Sequence, residues 1–464
     1  MMFLRFGNLH RVHMVGVGGA GMSGIAEVLL AQELEVSGSD LVAGEATGRL
    51  EKAGLTFWQG HEAGHVEGAD LVVVSSAVPA DNPERRRARE LGIPVVRRAE
   101  MLGELMRLKY GIAVAGTHGK TTTTSLVGHL LTEAGFDPTV IVGGRLRVSG
   151  TGARLGRSDY LVAEADEYDR SFHRLAPILA VITSIDTDHL DTYRDLEEIR
   201  EAFLEFAEQV PFFGQVVVCL DDPNVQKLLP RLTDRRVVTY GLSPQATLRA
   251  TELEAEPGRQ GFTVVHAERG VLGRLELPMP GEHNVRNALA AVAVGLAMDI
   301  EIDAMAEALA RFGGVHRRFE RLGTWHGAAV IDDYAHHPTE VTATLRAARQ
   351  VFRDAGIHAV FQPHLYSRTQ ALGHELGQAL LGADQAVVTD IYPSREQPIP
   401  GVTAEAVVEA ARASGHRQVA YCPRWQDAPA LLEGSVVAGD VVLTLGAGDI
   451  YKLAVELAGS GGEG

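Results

Sequence analysis

The chain has 464 residues, of which 45% are hydrophobic and 22% are charged, and its formal net charge is −17. This length predicts roughly three domains with enough apolar residues for a substantial core. The acidic balance argues against general nucleic-acid binding, which relies on clustered lysine and arginine. No apolar run reaches the roughly 18 residues that a membrane span needs, so we expect no membrane insertion.

Two features predict a cytoplasmic location. The opening residues, MMFLRFGNLH, lack the long apolar core and the small-residue cleavage site of a signal peptide. The chain has only two cysteines, Cys219 and Cys422, and each falls inside or at the end of an apolar, strand-like run. A disulfide framework is therefore not expected, and a reducing compartment fits.

The N-terminal part is typical of a nucleotide-binding βαβ unit. A strand-like run leads into Gly16, Gly18 and Gly21 in GxGxxG spacing, and an apolar helical pattern follows. A second strand ends near Asp40, about where a ribose-binding acid is expected. The spacing alone leaves three interpretations open: a site for NAD or FAD, a site for another nucleotide, or glycines that serve only the turn.

The central motif is AVAGTHGKTTTTS at residues 113–125, and it predicts a phosphate-binding loop. A strand leads into a glycine-containing turn, and the next helix would point its positive N-terminal end at a phosphate group. Lys120 would reach the β- and γ-phosphate oxygens, and the Thr121 hydroxyl would ligate Mg²⁺. The full Walker pattern has a glycine six positions before the lysine, where this chain has Val114. We therefore predict a shortened phosphate loop that binds ATP.

Two acidic segments follow later strands of the same predicted parallel sheet. They read EADEYD at residues 164–169 and SIDTDHLDTY at residues 184–193. Because the carboxyl ends of parallel strands meet at one edge of a sheet, these acids should lie near the phosphate loop. Carboxylate oxygens are the ligands that Mg²⁺ prefers, so the pattern predicts a magnesium site there.

The remaining sequence predicts hairpins and then a third α/β unit. Alternating residues and turn glycines between Thr247 and Pro280 favour an antiparallel excursion. From about Gly314 onwards, strands end in polar or glycine-rich segments such as DDYAHHPTE, PHLYSRT and GAGDI. A second substrate-binding face is therefore expected at these strand ends.

Taken together, these motifs resemble the Mur ligase family from end to end. The segments GTHGKTT, EADEYD, DTDHLDTY, GEHNVRNALAA, RRFE, DDYAHHPTE and GAGD occur in this order. GVGGAGMSGIAEVL, SGSD and FQPH further resemble the branch of the family that adds L-alanine. The resemblance implies an α/β fold of three domains: an N-terminal Rossmann-like domain for UDP (residues 1–107), a central P-loop ATPase-like parallel sheet with an antiparallel excursion (108–313), and a C-terminal Rossmann-like domain for the amino acid (314–464).

The resemblance also implies the reaction. ATP and Mg²⁺ would drive amide formation between the lactyl carboxylate of UDP-N-acetylmuramate and L-alanine, through an acyl phosphate. Catalysis would then consist mainly of positioning the reactants and neutralising charge. We expect a monomer or a homodimer.

Site residues are implied position by position. The ATP-binding set would be Gly116, Thr117, His118, Gly119, Lys120, Thr121, Thr122, His283, Asn284, Asn287 and Asp333, with the histidine and the asparagines facing adenine and Asp333 facing the ribose. The Mg²⁺ ligands would be Thr121, Glu164 and His189, and the catalytic residues Lys120, His189 and Arg318. Arg318 would approach the transferred phosphoryl group when the domains close. UDP would be bound by Gly18, Gly19, Gly21, Asp40, Ser75 and Ser76, and L-alanine by Tyr334, His336, His364 and Arg368.

The chain departs from the family pattern in a few places. Tyr168 replaces a serine in EADEYD, and Leu365 replaces an arginine in FQPHLYSRT. If that arginine contacts substrate in relatives, its contact is absent here or is supplied elsewhere. No lysine occurs between His189 and Gln226, whereas ligases that add later amino acids have a carbamylated lysine in that region. This difference is consistent with the alanine-adding branch.

Three other functions were weighed against this one. A recycling ligase that attaches a preformed peptide to UDP-N-acetylmuramate is the runner-up. A nicotinamide-dependent oxidoreductase would leave Lys120 and the acidic segments unexplained. A P-loop switch or motor ATPase would not need a second nucleotide-type fold at its N-terminus.

Overall fold

The computed structural model describes residues 9–143, 152–188, 192–256, 258–394 and 396–460. The chain divides into two compact units. Unit 1 contains Met1–Thr251, Thr263–Leu275 and Arg286–Gly313, and unit 2 contains Glu252–Phe262, Glu276–Val285 and Gly314–Gly464. Among the described residues, every helix is too short or too polar to cross a membrane.

The N-terminal part of unit 1 alternates strands with helices, as the glycine-rich βαβ pattern predicts. Its elements are β1 (Arg11–Val15), α1 (Ala20–Ala31), β2 (Glu35–Asp40), α2 (Glu45–Lys52), β3 (Thr56–Gln59), β4 (Leu71–Val74), α3 (Pro83–Glu90), β5 (Val95–Arg97) and α4 (Arg98–Arg107). The five strands are parallel, and their order is β3-β2-β1-β4-β5. β1 lies between β2 and β4, so the strand order reverses at β1. The glycine loop that follows β1 is therefore at the topological switch point of the sheet, which is a common ligand site.

The central sheet has ten strands and carries the phosphate loop. Its elements are β6 (Tyr110–Ala115), α5 (Lys120–Glu133), β7 (Thr139–Ile141), β8 (Ala153–Arg154), β9 (Tyr160–Glu164), β10 (Leu179–Ile182), α6 (Leu196–Glu208), β11 (Gln215–Cys219), α7 (Pro223–Gln226), β12 (Val237–Gly241), β13 (Leu248–Glu256), β14 (Arg259–His266), β15 (Gly270–Leu277), α8 (Glu282–Ala297) and α9 (Ile302–Ala310). The strand order is β15-β14-β13-β12-β11-β10-β6-β9-β7-β8. β6 therefore lies between β9 and β10, the two strands that lead into the acidic segments.

The last three strands of this sheet correspond to the predicted excursion. A short turn at residues 267–269 joins β14 to β15, and consecutive strands joined this tightly must be antiparallel. β13 and β14 are neighbours in the same sheet. The expected fold class, parallel α/β with hairpins inserted before α8, is thus confirmed.

Unit 2 contains a six-stranded sheet with helices. Its C-terminal elements are β16 (Glu320–Trp325), β17 (Ala328–Asp333), α10 (Pro338–Val351), β18 (Ile357–Phe361), α11 (Tyr366–Ala379), β19 (Gln385–Val388), α12 (Glu405–Ala413), β20 (Val419–Tyr421), α13 (Ala428–Leu432), β21 (Val441–Leu445) and α14 (Tyr451–Ser460). The order is β16-β17-β21-β18-β19-β20, and only the β16–β17 pair among these is antiparallel. The central strands β17, β18 and β21 are buried on both faces, as expected where helices cover both sides of a sheet.

One apolar core runs through both sheets of unit 1. Val12 and Leu29 of the N-terminal sheet and Ala113 and Phe203 of the central one belong to the same buried cluster, and all four are fully buried. The domain boundaries at 107/108 and 313/314 remain predictions.

Candidate active site

The phosphate loop joins β6 to α5, and two glycines give it its shape. Gly116 has φ +135° and Gly119 has φ +80°, a backbone region that side chains disfavour. A Cβ at Gly116 would lie 2.0 Å from the Thr183 hydroxyl, and one at Gly119 would lie 2.6 Å from the Asn287 amide oxygen. The loop therefore accepts only glycine at these two positions. Val114, which occupies the missing Walker glycine position, is a fully buried residue of β6.

Neighbouring strand ends hold the loop in place. The Asp186 backbone N–H donates to the Thr117 hydroxyl (2.9 Å), and the His118 N–H donates to the Ser184 hydroxyl (3.0 Å). The His118 ring lies 3.2 Å from the Asp186 carboxylate. Thr122 is buried in the first turn of α5. The second acidic segment thus lies against the loop, as its position in the sequence predicted.

Lys120 makes a buried ion pair with Glu167. Its Nζ lies 2.9 and 2.7 Å from the two carboxylate oxygens of Glu167, and it also donates to the Gly116 carbonyl (2.7 Å). Burial by itself would lower the pKa of the ammonium, but the charges of Glu167, Asp166 and Glu164 outweigh that effect and raise the pKa. Lys120 is therefore cationic at any physiological pH.

Thr121 and Glu164, two of the three expected magnesium ligands, come together in the structure. The Thr121 hydroxyl lies 3.1 and 3.0 Å from the carboxylate oxygens of Glu164, which also accepts a hydrogen bond from the Gly143 N–H (2.7 Å). A hydroxyl and a carboxylate are hard oxygen donors of the kind that Mg²⁺ takes. The third expected ligand, His189, lies outside the described residues.

The residues expected to face adenine are on or beside α8. Asn287 is buried, and its amide oxygen accepts a hydrogen bond from the Thr123 hydroxyl of α5 (3.2 Å). Asn284 is also buried, and its amide donates to the Pro280 carbonyl (2.8 Å). His283 follows the first residue of the helix. Contact of these side chains with a purine stays a prediction.

The N-terminal glycine loop brings together the residues expected to bind UDP. The Gly18 N–H donates to the Asp40 carboxylate (2.9 Å), and Gly19 caps the start of α1. Ser75 lies against Gly16, where an added Cβ would be 3.0 Å from the Ser75 Cβ. The loop and the ends of β2 and β4 therefore converge on one edge of the sheet.

An arginine-rich cavity of about 420 Å³ opens beside this loop within unit 1. Its lining residues include Ser76, Arg97, Arg98, Asp166, Arg170 and Arg174. Arg98 reaches furthest toward the glycines, because a Cβ at Gly21 would lie 2.9 Å from its guanidinium, and it also pairs with Asp166 at 3.5 Å. Arg98 was not among the residues predicted for the site. The only signal in the sequence was the pair of adjacent arginines where β5 meets α4.

A buried carboxylate is linked to the glycine loop through Ser39 of β2. Glu84 is fully buried, and its oxygens lie 2.6 Å from the Ser39 hydroxyl and 2.6 Å from the His65 ring, with His61 at 3.3 Å and His13 at 3.6 Å. Burial by itself would raise the pKa of Glu84, but interactions with His13, Ser39 and His65 hold the pKa at about 2. The Ser39 carbonyl in turn accepts from the backbone N–H of the residue that opens the loop, at 2.8 Å.

We expect Glu84→Gln to destabilise unit 1 by about 2–3 kcal/mol at pH 7, because the variant breaks a buried, charge-assisted network. The depressed pKa means that the stabilisation is present above the ordinary value of 4.5 and is lost as the pH falls toward about 2. In urea unfolding, the difference in unfolding free energy between wild type and variant should therefore become smaller from pH 7 to pH 3. Glu51→Gln, at an exposed position of α2, is the control. A difference that does not change with pH would contradict a stabilising role for the ionised Glu84 carboxylate.

In unit 2, Tyr334 lies between two adjacent arginines. The guanidinium carbons of Arg317 and Arg318 are each 5.1 Å from the Tyr334 ring centre. Arg317 also lies 4.8 Å from the Tyr451 ring and donates to the carbonyls of Gly446 (2.6 Å) and Gly448 (3.1 Å). Arg317 therefore ties the strand ends of this sheet together.

Arg318 has far fewer partners than its neighbour. Its guanidinium stacks on the Tyr334 ring, lies 3.9 Å from the Glu340 carboxylate and acts by its charge on Asp333. Its side chain retains 23% exposure. Of the two arginines in HRRFE, Arg318 therefore keeps more of its hydrogen-bonding capacity, and its contact with a phosphate stays a prediction.

The four residues expected to bind L-alanine are neighbours. The His336 ring packs edge-on against Tyr334 (5.3 Å) and against His364 (5.7 Å), and Arg368 Nη1 lies 3.2 Å from His364 Nδ1. Burial lowers the pKa of His336 to about 3, so this imidazole is neutral. The neutral His336 ring therefore offers a hydrogen-bonding nitrogen close to the cationic guanidinium of Arg368.

Two further expected positions show unusual environments. Asp333 accepts from the backbone N–H groups of Phe319 (2.7 Å) and Ala335 (2.8 Å), and burial raises its pKa to about 6 against the opposing charge of Arg318. Leu365, which replaces the expected arginine, has φ +69° at the start of α11. A non-glycine residue held there is strained, which is common beside functional sites.

A phosphate loop with a buried lysine, oxygen donors beside it and a separate glycine-rich sheet edge define an ATP-using enzyme with a second ligand site. Three family models match successive parts of the chain: Mur ligase family, catalytic domain, over residues 11–110; Mur ligase middle domain over residues 114–295; and Mur ligase, glutamate ligase domain, over residues 317–448. Full-length relatives share about half of its residues. The chain belongs to the Mur ligase family.

The relatives point to one branch of that family. A UDP-N-acetylmuramate–L-alanine ligase from Salinibacter ruber is 54% identical over 96% of this chain and 94% of its own length. The ligase of the same name from Syntrophotalea carbinolica is 52% identical over 98% of each chain. The crystal structure of a UDP-N-acetylmuramate–alanine ligase from Thermotoga maritima superposes with a TM-score of 0.82 at 30% identity, covering 97% of this chain and 98% of its own. A murein peptide ligase from Psychrobacter arcticus, at 24% identity and a TM-score of 0.69, shares the fold.

Proposed function

We propose that this protein is an ATP-dependent ligase that joins L-alanine to the lactyl carboxylate of UDP-N-acetylmuramate. The main support for this proposal is that UDP-N-acetylmuramate–L-alanine ligases share 52–54% sequence identity with almost the whole chain. The runner-up, attachment of a preformed peptide, is not favoured, because the relatives at about one half identity are named alanine ligases, whereas two peptide ligase structures share 24% and 28% identity. A nicotinamide-dependent oxidoreductase or a P-loop switch does not account for membership of the family.

The chemistry begins with activation of the carboxylate. A carboxylate oxygen of UDP-N-acetylmuramate attacks the γ-phosphorus of ATP, the bond from that phosphorus to the β–γ bridging oxygen breaks, and ADP leaves with the bonding electrons. Lys120 would offset the charge that develops on the β- and γ-oxygens, and the N–H groups at the start of α5 would bind them. We propose Gly116 to Thr122 as the loop that holds the triphosphate.

Amide formation follows in the second half of the reaction. The amine of L-alanine attacks the acyl carbon, and the tetrahedral intermediate expels phosphate as the carbon–oxygen bond breaks and the amine loses its proton. We propose that Tyr334, His336, His364 and Arg368 bind L-alanine, with the Arg368 guanidinium facing its carboxylate. Arg318 would stabilise the transferred phosphoryl group.

Magnesium is proposed on the basis of its donor set. Thr121 and Glu164 supply adjacent oxygen atoms at the phosphate loop, and His189 would complete the set. When bound there, Mg²⁺ would neutralise phosphate charge and orient the triphosphate. The asparagines and His283 would face adenine, and Asp333 would face the ribose.

The location and assembly of the protein are part of the proposal. Both cysteines are free and buried, which suits a reducing compartment, and ATP and a UDP-linked sugar are intracellular metabolites. We therefore place the enzyme in the cytoplasm, as a monomer or a homodimer.

The test is a phosphate-release assay with ATP, Mg²⁺ and UDP-N-acetylmuramate, run with L-alanine, glycine, L-serine and the cell-wall tripeptide in parallel. Turnover should be greatest with L-alanine and should produce one ADP for each amide bond. A preference for the tripeptide would identify a recycling ligase instead. NADH consumption in the same mixtures is the control for redox chemistry, and it should be absent.

Arg98→Ala should raise the KM for UDP-N-acetylmuramate about tenfold or more, with a smaller change in kcat. The guanidinium lies against the glycine loop and lines the cavity beside it, so we expect it to contact the diphosphate or the carboxylate of this substrate. Steady-state kinetics with saturating ATP and alanine measure the effect. Arg107→Ala, at the exposed end of the same helix, should match wild type. An unchanged KM in the Arg98 variant would remove this residue from the substrate site.

A further inference from the structure

Glu167 has no role in the proposed chemistry, although it makes the closest ionic contact of the phosphate-loop lysine. Its side chain is 3% exposed, and both oxygens lie within 2.9 Å of Lys120 Nζ. The lysine has three N–H bonds, and four oxygen atoms surround it: the two of Glu167 and the carbonyls of Gly116 (2.7 Å) and Thr117 (3.4 Å). The donor capacity of the ammonium is therefore fully used by the protein itself.

We propose that Glu167 competes with the phosphates of ATP for Lys120 and thereby sets the affinity of the enzyme for ATP. This inference rests on the proposed use of ATP. A phosphate oxygen can bind the ammonium only by displacing one of its present acceptors. The carboxylate is the acceptor that must give way, because it would repel a phosphate bound to the same nitrogen, whereas the Gly116 carbonyl carries no net charge.

Two hydrogen bonds hold the backbone carbonyl of Glu167. The buried Tyr193 hydroxyl donates to the Glu167 carbonyl at 2.6 Å, and the Arg170 N–H donates to the same oxygen at 3.0 Å. The Glu167 peptide can therefore stay in place when ATP displaces the carboxylate from Lys120 by side-chain rotation. Because the pair is buried, salt screens it weakly, and the competition should persist at physiological ionic strength.

The neighbouring Asp166 provides a matched comparison. Its carboxylate contributes to the negative field around Lys120, but its own contacts are the Tyr168 N–H (3.2 Å) and Arg98 (3.5 Å). Asp166→Asn therefore removes one negative charge from the same region without removing a ligand of the lysine. Comparing the two variants therefore separates the effect of the Glu167–Lys120 contact from the effect of losing one negative charge near Lys120.

The experiment is calorimetric titration of the full chain with ATP and Mg²⁺, without the other substrates. Glu167→Gln should tighten ATP binding about tenfold, and Asp166→Asn should change it less than about threefold. Unchanged or weaker binding in Glu167→Gln would overturn the inference, and so would equal tightening in both variants. If the wild-type chain binds no ATP, the proposed function fails as well. The inference about Glu167 fails alone when the wild type binds ATP and Glu167→Gln does not bind it more tightly.

A second measurement uses the wild-type chain in case Glu167→Gln does not fold. A crystal structure with ATP and Mg²⁺ should place Lys120 Nζ on phosphate oxygens and more than about 4 Å from both Glu167 oxygens, beyond hydrogen-bonding range. A lysine that binds phosphate and keeps both carboxylate contacts would overturn the proposal. It would instead make Glu167 a positioning residue for Lys120.

Discussion

Lys120→Ala should abolish ATP-dependent phosphate release, with a loss of at least about 10³-fold in kcat/KM. The substitution removes the only side-chain cation in contact with the phosphate loop among the described residues, and charge neutralisation is the main contribution of the protein to phosphoryl transfer. The measurement is phosphate release with all three substrates. Near-normal turnover would show that the loop has no catalytic role.

Lys227→Ala is the matched control, because this lysine is exposed in the same unit and directly follows α7. It should retain wild-type activity. Thermal unfolding of both variants should accompany the assay, since Lys120→Ala also leaves the buried Glu167 carboxylate without its cation. A folded but inactive Lys120→Ala separates loss of catalysis from loss of structure.

Arg318→Ala should lower kcat by about 10³-fold and change the KM for UDP-N-acetylmuramate by less than about threefold. An arginine that meets the phosphoryl group in the transition state contributes to kcat, whereas the UDP end of the substrate is proposed to bind the glycine loop of unit 1. Steady-state kinetics with each substrate varied in turn provide the measurement. Equal losses in kcat and in affinity would contradict this division of roles.

Two neighbouring arginines serve as comparisons. Arg321→Ala, at an exposed position of β16, should behave as wild type. Arg317→Ala should instead lower the melting temperature, because its guanidinium packs between two tyrosine rings and donates to loop carbonyls. A catalytic loss without destabilisation in Arg317→Ala would reverse the assignment of the two residues.

Much of the site followed from local sequence. The strand, glycines, lysine and threonine of the phosphate loop lie within 16 residues, so spacing alone predicts their arrangement. The expectation that both acidic segments flank the loop also agrees with the structure, because the strands that lead into them pair with β6. The roles of the individual residues remain predictions.

Spacing alone could not choose between paired residues, although the family resemblance implied Arg318 and Glu164. HRRFE contains two arginines with the same chemistry, and only the three-dimensional positions of Tyr334, Tyr451 and the Gly446 carbonyl show that Arg317 is already engaged. EADEYD contains four acids, and periodicity does not reveal that Glu164 meets Thr121 while Glu167 meets Lys120.

The sequence by itself determined the fold class, the order of the motifs, the family and the shortened phosphate loop, because these depend on local patterns and on motif order along the chain. The tertiary structure alone decided the ionic partners: Glu167 for Lys120, Asp166 for Arg98, and the histidines around Glu84. Lys120 and Glu167 are 47 residues apart, and they meet because β6 and β9 are adjacent in the sheet. Strand order and side-chain reach set such contacts, and neither can be read from spacing along the chain.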